Sequence, residues 1–242
     1  GRVVDFTADV RLVDVLGKFR KDLPELDMAQ ISGRIVASEF TPKLKSLLSR
    51  TPIEPGHRLV LQDFSMQTRD GLVLPETSFT ESFLPAQNGQ AEKVEVFAKS
   101  VDLHSLANFA EHLPLPADQR RLLIEVAPKG VLKDFSAQWQ GSFPDVSSYQ
   151  IKGQFFNLEM QPQKAQLARA KTAKLAAKAA VPAIPGFDNL SGTIDANDYG
   201  GRISLDSSDL LLQTPSYFVD PVMPFKRLQM RAKWTLQEEN QL

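Results

Sequence analysis

Four aspartates, Asp195, Asp198, Asp206 and Asp209, lie close together toward the C-terminal end of this 242-residue chain. Paired carboxylates do general acid and base work, and clustered carboxylate oxygens bind calcium. Here they alternate with Gly, Ser and Tyr, and no twelve-residue calcium-loop pattern is met. They read instead as turn residues, where Asp is favoured for hydrogen bonds to its local backbone. The three imidazoles are His57, His104 and His112. The last two are too far apart to bind a metal from successive turns of one helix, and all three read as surface or satisfied core residues. Cysteine is absent, which excludes disulfides, thiolate metal sites and a cysteine nucleophile. A Gly-x-Ser-x-Gly elbow, a phosphate loop and a dinucleotide glycine fingerprint are all missing. We expect no enzyme, no cofactor and no metal.

With no chemistry to position, the question becomes what the elements themselves present. The chain is 42% hydrophobic and 24% charged, enough for a sizeable core, and its formal net charge of −1 points to neither nucleic acid nor an anionic membrane. No apolar run reaches the length of a membrane span. The opening GRVVDFTADVRLVD has neither a basic nor an apolar leader region, and the closing EENQL follows a strand with no turn. Both ends read as cut from a longer chain, so that an anchor would lie outside it.

Alternation with a period of two dominates the sequence. Val4, Phe6, Ala8, Val10 and Leu12 share one parity; Val94, Val96 and Ala98 share another; Leu228, Met230, Ala232 and Trp234 alternate with Gln229, Arg231, Lys233 and Thr235. Such strands have one apolar and one polar face. Asp70-Gly71 predicts a hairpin within 57–79, and Asp198-Tyr199-Gly200-Gly201 and Asp206-Ser207-Ser208-Asp209 predict turns in the C-terminal meander. Val131, Phe135, Ala137 and Trp139 are expected on one side of a strand. In the next, the apolar parity flips at Phe155-Phe156, where we expect a bulge. Ile31-Ser32-Gly33-Arg34-Ile35 is echoed by Leu190-Ser191-Gly192-Thr193-Ile194, and glycine inside a strand signals a bulge or a close approach.

Helices are few. Leu12, Leu16, Phe19 and Leu23 predict one that Pro24 stops; Thr41-Pro42 opens a second over Leu44, Leu47 and Leu48. A helical pair is expected over 103–127, with Asp102 or Ser105 capping the first helix, which carries Leu106, Phe109, Ala110 and Leu113. In 161–182, Lys164, Arg169, Lys171, Lys174 and Lys178 occur without an acid, leaving −6 for the rest of the chain. That segment is either a basic helix on anionic headgroups or an Ala/Lys surface helix or tether. The chain divides into 1–56, a strand and helix segment of a preceding repeat; 57–160, a sheet with the helical pair; 161–185, the Ala/Lys insertion; and 186–242, a β-meander. With so few helices to cover them, the apolar faces either close as a sandwich or barrel or curl into a trough that meets lipid.

The block PGFDNLSGTIDANDYGGRISLDSSDLLLQTPSYFVDP, continued by FKRLQMRAKW, resembles a recurrent block of the YhdP and AsmA-like envelope proteins, related in architecture to TamB. The preceding VEVFAKSVDLHSLANFAEHLPLPADQRRLLIEVAPKGVLKDFSAQWQG resembles the block before it in that group, and together they cover 59–234. The resemblance implies a mainly β fold of antiparallel meanders with a few short helices. Its curved, twisted sheet would form an elongated apolar groove, one part of a repeating β-groove architecture. It further implies the periplasmic part of a Gram-negative protein anchored in the inner membrane, carrying phospholipid between inner and outer membranes. About ten strands at ~4.8 Å spacing would make a trough on the order of 50 Å long. On that reading Phe135, Trp139, Phe155, Leu190, Ile194, Leu228, Met230 and Trp234 line the floor that holds acyl chains. The partners would be phospholipid acyl chains and, through the full-length chain, membrane surfaces or envelope proteins, with no nucleic acid. The alternative is a closed β-sandwich that serves as an interaction or scaffold module of the envelope without lipid cargo.

Overall fold

A computed structural model describes residues 4–40, 55–87, 89–113, 115, 117–141, 146–163, 165, 183–214 and 220–236. Ten strands follow one another as β1 (Asp5–Gly17), β2 (Leu26–Phe40), β3 (Gly56–Thr68), β4 (Val73–Leu84), β5 (Lys93–Asp102), β6 (Lys129–Gln140), β7 (Ser148–Met160), β8 (Gly186–Asn197), β9 (Gly200–Gln213) and β10 (Val222–Thr235). They form one sheet in strict sequence order, every neighbour antiparallel. The first and last strands are its edges. Among the described residues there is no second sheet, so the closed sandwich does not form: the meander lays each strand beside its predecessor instead of folding back over it.

Between β5 and β6 the chain rises into α1 (Leu103–Asn108), a 3-10 turn (Ala110–His112) and α2 (Ala117–Val126). Asp102 caps α1, its carboxylate accepting from the Ser105 N–H at 2.7 Å. The Asp70-Gly71 hairpin is present, Gly71 standing at a φ of 95° that favours glycine.

In an antiparallel pair, directly opposed residues project to the same side of the sheet. Tracing opposed pairs from β1 to β10 therefore sorts the side chains into two faces. Each strand has 10 to 15 residues, and apolar parity rarely holds that long. The structure resets it with αL residues inside strands: Asp14, Asp63, Asp134, Asn157, Asn189 and Asp209 have φ between 46° and 62°. Asp and Asn are the side chains that best tolerate this conformation. The register slips near Asp63, Asp134, Asn157 and Asn189, as at a β-bulge, which also sharpens the right-handed twist.

These bulges revise several expectations. Asp134 turns the strand so that Leu132 shares the face of Phe135, opposite Phe155 on β7, while Val131 faces away. The parity change in β7 sits at Asn157 and not at Phe155-Phe156: Leu158 joins Phe155, and Phe156 projects to the other side. Asp206-Ser207-Ser208-Asp209 is no turn. β9 runs through it, Ser207 is buried, and its hydroxyl accepts from the Ser191 N–H at 2.9 Å. Nor do Leu12 and Leu16 form a helix, because β1 stays paired with β2 as far as Gly17 opposite Leu26. Cross-strand pairing overrides the three-to-four spacing. The helix expected after Thr41-Pro42 and the Ala/Lys segment from Gln166 to Pro182 lie outside the described residues.

The echoed glycines both mark close approaches. A Cβ at Gly33 would lie 2.6 Å from the Phe64 Cα, and one at Gly192 would lie 2.2 Å from the Ser204 carbonyl oxygen. We expect Gly192→Ala to destabilise the chain by about 1–3 kcal/mol through overpacking, seen as a lower urea midpoint at unchanged slope. At the Asp209 bulge, Asp209→Val should cost about 1–2 kcal/mol in the same assay and Asp209→Gly much less, because only the former puts a branched side chain in the αL region.

Candidate functional site

One face of the sheet is apolar from edge to edge. Along β1 and β2 it carries Phe6, Ala8, Val10, Ala37, Ile35 and Ile31, and past their bulges Val15 and Met28. Leu59, Leu61, Phe64 and Met66 continue it on β3, opposite Phe79 of β4, which in turn faces Ala98 of β5. On β9 and β10 it ends with Leu205, Leu210, Leu212, Phe225 and Met223.

The eight residues expected to line a floor all project to this face. Phe135 opposes Ala98, and Trp139 stands between Val94 and Tyr149. Phe155 lies between Leu132 and Gly192; Leu190 opposes Leu158; Ile194 lies between Gly153 and Ile203. Leu228, Met230 and Trp234 oppose Ser207, Leu205 and Gly201. Small residues make room for the rings. A Cβ at Gly201 would lie 2.5 Å from the Trp234 indole, and one at Gly153 would lie 3.1 Å from the Phe135 ring. Leu132, Leu158, Phe187, Leu205 and Leu210 belong to the same surface. Sequence parity set Leu132 against Phe135, although a mid-strand Asp where the alternation slips by one residue would have been the signal.

Among the described residues, the chain itself covers this face at one end only. Phe109, 2% exposed, leaves the helical crossover to pack with Leu26, Met28, Ile31, Phe64 and Met66, and Leu113 rests against the same cluster. Over β7 to β10 no described element forms a second layer. Even so, Phe155, Leu205 and Leu210 are buried there, as expected where a bent sheet turns its side chains inward against each other. Toward the edges the surface opens: Phe6, Leu12 and Met230 are exposed, Met230 at 42%.

The opposite face is polar and knitted by cross-strand pairs. Arg34 donates two hydrogen bonds to Asp9, at 2.7 and 2.9 Å. They hold the Asp9 carboxyl below its usual range and raise the guanidinium in turn. Arg202 donates to Asp195 at 2.7 Å, Gln138 to Gln150 at 2.7 Å and Gln229 to Asp206 at 3.2 Å. Asp195, Asp206 and Asp209 thus sit in strands, and of the four aspartates only Asp198 lies in a turn. Exposed pairs of this kind add little stability; they keep one face of the sheet wet. Among the described residues no group of three or more His, Asp or Glu is placed to hold a metal ion.

An open sheet of this kind, apolar on one side and polar on the other, has the form that the sequence resemblance implied. The family model described as YhdP protein matches residues 1–242. The chain belongs to the YhdP family. No curated protein and no solved structure matches it. YhdP membership suggests an envelope protein of the lipid-transport type. No helix among the described residues of this YhdP-family chain is long and apolar enough to cross a membrane.

The helical cover makes its own prediction. Phe109→Ala should lower stability by about 3–5 kcal/mol, the usual cost of emptying a buried phenylalanine site, read from urea unfolding. Leu122→Ala on α2, where Leu122 is 50% exposed, should lower the unfolding free energy by less than about 1 kcal/mol.

Proposed function

We propose that this chain is one section of a periplasmic bridge that moves phospholipid between the inner and outer membranes. Acyl chains lie on the apolar face and headgroups stay in water along its open side. The observation that carries this reading is the continuity of the apolar face over all ten strands, half of it without a covering layer among the described elements. A soluble domain normally buries such a surface, and a large exposed one marks an interaction site. Nine strand spacings of ~4.8 Å give on the order of 45 Å of track, room for several lipids side by side.

The physics suits a conveyor better than a pocket. Each acyl methylene removed from water is worth about 0.8 kcal/mol, so tails are held firmly wherever they lie. Movement then requires only that no position hold them much more tightly than the next. Leu, Ile, Phe and Met recurring from strand to strand supply such a surface, whereas a pocket of converging polar groups would trap its ligand. On this reading the chain is the periplasmic part of an inner-membrane-anchored protein of a Gram-negative envelope, and its partners are acyl chains and, through the full-length protein, membrane surfaces. It performs no catalysis.

Native mass spectrometry of the purified chain, with lipid extraction from the same sample, tests the proposal. We expect co-purified phospholipid, reduced roughly tenfold or more in Met230→Asp and Ile194→Glu, because each puts an unpaired charge against acyl chains. Met230 is exposed enough for its substitution to leave the sheet intact. Wild-type lipid content in both variants would refute the assignment.

A further inference from the structure

The polar face holds a basic depression over β7 to β10. Lys152 of β7, Asp195 of β8, Arg202 of β9 and Lys233 of β10 oppose one another in turn and form one cross-strand row. Two residues along each strand, Gln154, Thr193, Ser204 and Arg231 form the next row on the same side. Together with Asp134 the two rows line an open depression of about 640 Å³, a size within the range of about 300–1,000 Å³ usual for small-ligand sites. It lies on the opposite side of the sheet from the apolar face and is independent of the lipid track.

Four cations here meet two carboxylates. Arg202 donates to Asp195 at 2.7 Å, which engages one of the two. Lys152, Arg231 and Lys233 are exposed and form no ion pair or side-chain hydrogen bond among the described residues. In the row beyond, Asp206 is already engaged by Arg227 at 3.5 Å and Gln229 at 3.2 Å. Arg202 and Lys233 stand directly opposite each other, and like charges so placed destabilise an antiparallel pair. An anion between them would relieve that repulsion. Edge protection accounts for only part of this charge: β10 is an edge strand, where Lys and Arg discourage pairing with another chain, whereas Lys152 and Arg202 stand on β7 and β9, inside the sheet.

We propose that Lys152, Arg202, Arg231 and Lys233 bind an anion that carries two or more phosphate groups. Spacing sets the valence. Lys152 and Lys233 are three strands apart, about 14 Å, and Arg231 and Lys233 are two residues apart, about 7 Å, so a ligand with several phosphates reaches more of these cations than a single phosphate does. The guanidiniums offer forked, charge-assisted hydrogen bonds to phosphate oxygens, and the ammoniums act as point charges. Gln154, Thr193 and Ser204 place neutral donors between them. The same chemistry is found in a soluble polyphosphorylated compound and in a lipid headgroup with more than one phosphate.

Two arms test the site on the purified chain. In the first, tripolyphosphate is titrated by calorimetry at low ionic strength, where exposed charges are least screened. In the second, the chain is co-sedimented with vesicles of phosphatidylcholine alone or of phosphatidylcholine with cardiolipin, whose headgroup carries two phosphates; the excess caused by cardiolipin is the readout, since the apolar face can meet either vesicle. In whichever arm the wild type binds, Arg231→Gln/Lys233→Gln should weaken binding by ~10-fold or more, and Asp134→Asn, which removes a carboxylate, should tighten it by about 2-fold. Arg11→Gln/Arg58→Gln takes the same charge from exposed positions on β1 and β3 and should change binding by less than ~2-fold, because those charges lie beyond a Debye length from the depression. Binding of tripolyphosphate alone, lost in the first variant, assigns a soluble ligand; a cardiolipin excess lost in that variant assigns a lipid headgroup. No binding in either arm, binding that survives Arg231→Gln/Lys233→Gln, or binding weakened equally by the two double variants overturns the site.

Discussion

Two residues opposed across an antiparallel ladder must project to the same side of the sheet, and everything else in this molecule depends on that rule. A face can be apolar over ten strands only if the apolar residue of every strand falls opposite an apolar residue of the next. A slip of one position anywhere would send half of a long strand to the wrong side. The αL residues at Asp14, Asp63, Asp134, Asn157, Asn189 and Asp209 meet this constraint locally. Each absorbs one position of alternation, so that Leu132 joins Phe135 and Leu158 joins Phe155. The same bulges bend and twist the strands, so the device that keeps the face apolar also helps to curve it.

Curvature explains a burial pattern that a flat sheet would not show. Phe155, Leu205 and Leu210 are buried on β7 and β9, where no described helix lies. On a flat single layer such side chains would stand in water. On a bent one, neighbours close over them, while Met230 and Phe6 near the edges stay open. Glycines complete the fit: Gly201 accepts the Trp234 indole and Gly153 the Phe135 ring, so the largest side chains lie down on the floor without lifting the strands apart. At the other end of the strands, Phe109 and Leu113 provide the cover that the N-terminal half needs. The result is a surface with a closed corner and a long open stretch.

The polar face shows what the chain spends its charges on. Lys129 and Glu159 pair at 2.6 Å, and the Asp9–Arg34 and Asp195–Arg202 pairs cross between adjacent strands in the same way. Glu39, His57 and Glu81 depart from that pattern because they stand on the apolar side.

The sequence by itself determined the type of strand and the existence of the two faces. Alternation of period two is local, so Leu228, Met230, Ala232 and Trp234 declared their common side without reference to anything else, as did Phe135 with Trp139. The helical pair was legible from the Asp102 cap, but α1 ends at Asn108, so that of the expected apolar stripe only Leu106 is in it, while Phe109 caps it, Ala110 lies in the 3-10 turn and Leu113 follows that turn. What the sequence left undecided was where alternation slips and what the apolar face meets. A mid-strand Asp in the αL region and an Asp in a turn look the same in one dimension, which is why Asp206 to Asp209 read as a turn and Val131 was assigned to the wrong side. A sandwich and an open trough likewise write identical alternation, since both put apolar residues on one side of every strand. Only the tertiary structure decided between them, because strand order and cross-strand register are long-range properties: they place β1 and β10 at opposite edges of one sheet and bring Glu39, His57 and Glu81 from three strands onto its apolar side.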